Sequence, residues 1–135
     1  MGQQSISTLD LSFCAKGAVL SRRAVGFDGA QATLQGQQIL GISPRPVADK
    51  MYSEATASGT AVMEAGEAFP VGAELIVDAQ GRAIVRRDRP VGGEWPRAVR
   101  NPPVGYVEPP MEFVIADAME AAGFAGEFVE VLLRR

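Results

Sequence analysis

Histidine is absent from the chain, and cysteine occurs once, as Cys14. The first absence removes the commonest general base and the usual imidazole ligand of zinc and iron. The second rules out an intramolecular disulfide and gives no support to a secretory context. Cys14 could act as a nucleophile only with some other base, and between Phe13 and Ala15 it reads as a small buried apolar residue. Phosphate-cradling loops are missing too, since neither G-x-x-x-x-G-K-[ST] nor G-x-G-x-x-G occurs. No apolar run approaches the length of a membrane span. "MGQQSISTLD" has neither the basic start nor the apolar core of a signal peptide, and Ile6 stands where a myristoylation signal needs Ser or Thr. "DAQG" is a turn lacking the further oxygen ligands of a calcium loop. The pairs Glu64/Glu67 and Asp117/Glu120 could serve as acid and base, but carboxylates at such spacings mostly sit on solvated faces. The expectation is a chain that is not an enzyme and needs no cofactor and no metal.

What is present points to a small β protein. Sixteen acidic and 13 basic residues leave a net charge of −3, too weak a field to draw the chain to nucleic acid or an anionic membrane. With 47% hydrophobic and 21% charged residues the composition is globular. At 135 residues it fits one domain, and a chain of this size buries roughly two-thirds of its unfolded surface. Fifteen Gly and 9 Pro interrupt it too often for long helices. The fold class expected is mainly β, a small β-barrel or β-sandwich-like domain with a long Pro/Arg-rich loop and at most one or two short helices.

Residues 1–16 read as an extended N-terminal arm or edge strand, able to add itself to a neighbour's sheet, or as a frayed terminus. Residues 17–135 read as a single β-rich domain. From Gly17 to Ser43 short β-leaning runs are cut by glycines, with a hairpin signal at Asp28-Gly29. "SPRP" breaks the sheet at Ser43–Pro46, and "VADKMYSEATA" reads as a loop or a single helical turn. "SGTAVMEAG" alternates Thr60, Val62 and Glu64 against Ala61, Met63 and Ala65, as a half-buried strand does. Leu75–Val77, a turn over Asp78–Gly81 and Ala83–Val85 make a hairpin. "VIADAMEAAG" fits either a strand through Met119 with a turn near Gly123–Gly126, or a short helix capped by Gly123. "EFVEVLL" sets Val129, Val131 and Leu133 on one face and Phe128 and Leu132 around Glu130 on the other.

Residues 86–110 form a loop insertion whose prolines exclude a helix or a central strand, and long ordered loops in compact domains are more often functional than idle. Its arginines surround Trp95, a combination suited to anchoring a protein partner or a nucleic-acid backbone, and equally readable as a merely solvated loop. Asp88, Glu94, Glu108 and Glu112 cancel much of that field, which makes nucleic acid the less favoured partner. The partner-contact candidates are Ile6, Leu9 and Leu11 in the arm, and Arg87, Arg89, Trp95, Arg97 and Tyr106 in the loop. On these residues alone the chain could be a small β-barrel binding module that uses the Arg/Trp loop for nucleic acid or another protein.

The order of segments adds a sharper expectation. Gly59, Ala61, Ala65, Gly66, Gly72, Leu75, Asp78, Gly81, Arg82 and Ala83 are followed at a distance by Gly126, Glu130, Val131, Leu132 and Leu133. With "ILGIS" at Ile39–Ser43 ahead of them, this series resembles the capsid cement, or head decoration, proteins of tailed phages and prophages. The resemblance runs from about Gly17 to Leu133 and rests on turns and strands. The insertion departs from it, being longer and richer in Pro and Arg. What the resemblance implies is a structural virion protein on the outer capsid surface, made in the bacterial host cytoplasm. It would be a homo-trimer that binds the major capsid protein and stabilises the expanded shell, with no membrane partner.

Overall fold

The computed structural model of the chain describes residues 5–86 and 112–134. Among these residues it is all strand and turn, with no helix. The strands are β1 (Ser7–Cys14), β2 (Arg23–Val25), β3 (Gly41–Ser43), β4 (Tyr52–Glu64), β5 (Glu74–Val77), β6 (Ala83–Val85), β7 (Ala116–Ala118) and β8 (Phe128–Leu133). They pair antiparallel in one curled sheet, a half-barrel of order β2-β3-β4-β8-β7-β5-β6, with β1 added to β4 off this path. A parallel bridge between Ala65 and Ala83 brings the far strand β6 back to the end of β4, and the Gly66 N–H donates to the Ala83 carbonyl at 2.7 Å. The mainly β expectation holds.

The hairpin forms as its sequence requires, with Val77 opposite Ala83 and Leu75 opposite Val85. Its turn is tied by Asp78, whose Oδ1 accepts from the N–H groups of both Gln80 and Arg82 at 2.8 Å. Alternation in β4 and β8 holds at their ends, with Thr60, Glu64, Phe128 and Leu132 outward, but the paired outer residues Val62 and Glu130 are buried as well. Ala61 and Met63 face Val129 and Val131 in a core shared with Leu75, Val77, Ile115 and Phe69. The ambiguous "VIADAMEAAG" resolves as the short strand β7, after which Ala122 bridges Phe69 and the chain turns at Gly126.

Two expectations are overturned. "VADKMYSEATA" is not a loop or helical turn throughout, because β4 begins at Tyr52 and runs 13 residues. Its first half is a strand because β1 lies along it, in register from Leu11 opposite Ala55 to Cys14 opposite Tyr52. That half covers a second, smaller core of Phe13, Ala15, Val19, Val25, Val47 and Ala55. Cys14, in turn, is exposed rather than buried. Successive side chains of a strand point to opposite faces, and Phe13 takes the inward position.

β4 therefore carries both cores, one on each half. Gly59 separates them at φ 98°, in the left-handed region that favours glycine. A Cβ there would lie 2.2 Å from the Ile6 carbonyl oxygen, so only glycine lets β1 approach at this point. The pairing of β1 with β4 slips beside it, between Ser7 and Asp10. Such a bulge bends a strand and increases its twist.

Candidate interaction surfaces

The carboxylates considered as acid–base pairs hold strands together. Glu64 accepts from Arg23 at 2.9 Å, and Glu67 Oε1 accepts from the Val85 N–H at 2.8 Å. Glu120 Oε1 accepts from the Glu130 N–H at 2.9 Å. Asp117 takes a fork from Arg134, whose Nη2 and Nε donate to it at 2.7 and 2.9 Å. That hydrogen bond is the main cause raising the Arg134 guanidinium above its ordinary value; burial opposes it, and the charges of Asp117 and Glu74 add to it. Among the described residues no three His, Cys, Asp or Glu side chains gather where they could share a metal ion. Cys14 Sγ is set 3.7 Å from the Lys50 carbonyl.

Of the contact candidates, Ile6 and Leu9 are exposed and Leu11 half-buried on or beside β1. Ile6 is fixed by its N–H donating to Thr60 Oγ1 and its carbonyl accepting from the Thr60 N–H, both at 2.9 Å. Arg87, Arg89, Trp95, Arg97 and Tyr106 lie outside the described residues. The roots of that insertion are defined. Arg86 donates its N–H to the Glu74 carbonyl at 3.0 Å, and Phe113 donates to the Gly36 carbonyl at 2.9 Å. Since β5 lies between β6 and β7, the insertion leaves on one side of β5 and returns on the other. β6 and β7 themselves lie about 10 Å apart, two strand spacings. Beside the returning root a mostly apolar groove of about 310 Å³ is lined by Phe27, Ile39, Ala57 and Phe113, together with Gln38 and Arg134.

The ends of β4 carry surfaces that the sequence reading does not single out. At the start of β4, Tyr52 is 80% exposed and Met51 58% exposed, beside a depression of about 520 Å³ that includes Arg45, Pro46 and Glu54. This tip is rigidly held. Lys50 donates to the Ala15 carbonyl and Ala15 to the Met51 carbonyl, each at 2.8 Å, with Lys50 itself at φ 67°. At the other end Phe128 sits opposite Glu64. Phe128 is 43% exposed, and Phe124, in the preceding turn, is 63% exposed. Between them Glu127 closes the turn, donating its N–H to the Phe124 carbonyl while its side chain accepts from the Gly123 N–H. Glu130, one pair inward on the same outer face as Phe128, is nonetheless only 1% exposed.

No family model matches the chain, and no curated protein does. Among solved structures it is similar to "head fiber gp8.5 N base in bacteriophage phi29", with a TM-score of 0.64 and 15% sequence identity. The likeness covers 93% of this chain and 95% of that one, so the fold is shared nearly end to end.

Proposed function

We propose that the chain is a structural protein of a phage head that binds the outer capsid surface and stabilises the expanded shell. The observation that carries this is the end-to-end likeness to a phi29 head-fiber base. It agrees with the independent resemblance of the ordered strand and turn segments to capsid cement proteins. The partner would be the major capsid protein, the working form a homo-trimer and the location the virion surface.

The physical logic is linkage. Packaged DNA pushes outward, and a clip that binds only the closed, expanded shell stabilises that shell by its own binding free energy. Many identical weak contacts, each held near the next, give large avidity without any single strong site. A curled sheet with two cores strung on one strand is a stiff spacer for such contacts. Function of this kind needs shape and adhesion, and no bond-making chemistry.

The test is co-sedimentation of the full chain with expanded and unexpanded capsids. Preferential binding to the expanded form is expected. Equal binding to both, or none, sinks the reading.

A further inference from the structure

We propose that copies of this chain bind one another head to tail, the Met51–Tyr52 tip of one docking on the Phe124/Phe128 end of the next. The two surfaces lie at opposite ends of β4, Tyr52 being its first residue and Phe128 the partner of Glu64, its last. Twelve strand steps separate them, at most about 40 Å along the curled strand, and each lies at its own end of β4, so no chain can satisfy its own pair. Each end presents large apolar side chains on a backbone fixed by hydrogen bonds, and Tyr and Met are residue types that interfaces concentrate.

Charge selects the pairing. Lys16, Arg45 and Lys50 lie at the tip together with Asp49 and Glu54, which leaves one net positive charge there, and none of the three cations forms an ion pair among the described residues. The Phe124/Phe128 end carries Glu120, Glu127 and Glu64 instead, and among the described residues only Glu64 of the three is ion-paired, with Arg23. Tip against tip or barrel end against barrel end would bring like charges together, which disfavours a symmetric two-fold contact. Tip against barrel end joins opposite signs around an apolar centre.

A contact between unlike patches is heterologous, and it closes into a ring or runs on as a filament according to the rotation it imposes.

Sedimentation velocity on the full chain and two surface variants tests this. One variant is Met51→Ser with Tyr52→Ser, the other Phe124→Ser with Phe128→Ser. All four side chains are exposed, and a thermal melt of each variant checks that the fold is kept. The wild type is expected to self-associate, more weakly as salt rises. Each variant alone should associate about tenfold or more weakly, as loss of interface anchors does. An equal mixture of the two variants keeps one intact tip and one intact barrel end, so it should form a dimer that grows no further. A wild type that stays monomeric overturns the proposal. So does assembly that survives either variant, or a variant mixture that stays monomeric. A chain that never self-associates yet sediments with expanded shells refutes this contact and leaves the decoration reading intact. One that assembles but ignores capsids does the reverse.

Discussion

Replacing Gly59 by alanine probes the point where β1, β4 and the two cores meet. Two costs add. Alanine in the left-handed region costs about 1–2 kcal/mol. The new Cβ would also stand 2.2 Å from the Ile6 carbonyl oxygen and 2.9 Å from the Thr8 nitrogen, both backbone atoms that cannot rotate away. Relief requires β1 to withdraw, which breaks the 2.9 Å bond from the Thr60 N–H to the Ile6 carbonyl. That loss is worth about 1 kcal/mol. The sum is about 2–3 kcal/mol, or a fall in melting temperature on the order of 7–10 °C for a domain of this size. Gly72 supplies the control. Its φ is 82°, but a Cβ there meets nothing within 4 Å, so Gly72→Ala should show only the conformational cost, about 1–2 kcal/mol. Thermal melts compare the two variants, and amide hydrogen exchange locates the damage. Residues 7–11 and Thr60 should lose protection in Gly59→Ala alone. Equal destabilisation of the two variants, or full protection of β1 in Gly59→Ala, would refute the steric argument.

Met63 is fully buried in the larger core, so Met63→Ala should cost about 2–5 kcal/mol in urea unfolding. Asp78→Ala removes the acceptor for two backbone N–H groups and the partner of Arg82; a loss of about 1–3 kcal/mol is expected, with exchange quickening first in the β5–β6 hairpin. The exposed Arg134–Asp117 fork is a weaker support. Arg134→Gln should cost about 1 kcal/mol or less in chemical denaturation, and the difference should shrink as salt is added. Cys14, being exposed, should react with a thiol reagent at full stoichiometry in the native protein; reaction only after denaturation would show that the strand faces are assigned the wrong way round.

Where apolar alternation coincides with turn chemistry, the sequence is readable. Leu75–Val77, the Asp78 turn and Ala83–Val85 carry both signals, and the hairpin appears with Val77 opposite Ala83. The first half of β4 carries neither. Tyr52 and Glu54 are exposed while Ala55 and Ala57 are small and buried, so its strand character depends on β1, some 40 residues earlier in the chain. Cys14 shows a related limit. Phe13 and Cys14 are both apolar, and only the docking of Phe13 beneath β4 decides which of them faces out. Exposed apolar positions are less legible still. An exposed aromatic looks the same in sequence as a buried one, so Tyr52 and Phe124 give no signal, whereas the exposure of Ile6 and Leu9 agrees with their isolation among polar neighbours. Glu130 runs the other way, an acid between exposed neighbours that tertiary packing nonetheless covers.

The continuity of β4 has a mechanical consequence. A pull applied between Tyr52 and Glu64 runs along a single covalent backbone, parallel to the strands that flank it. The ladders to β1 and β8 are then loaded in shear, so many bonds must yield at once instead of opening one by one. A molecule stretched between neighbours on a swelling container would meet tension along its stiffest direction.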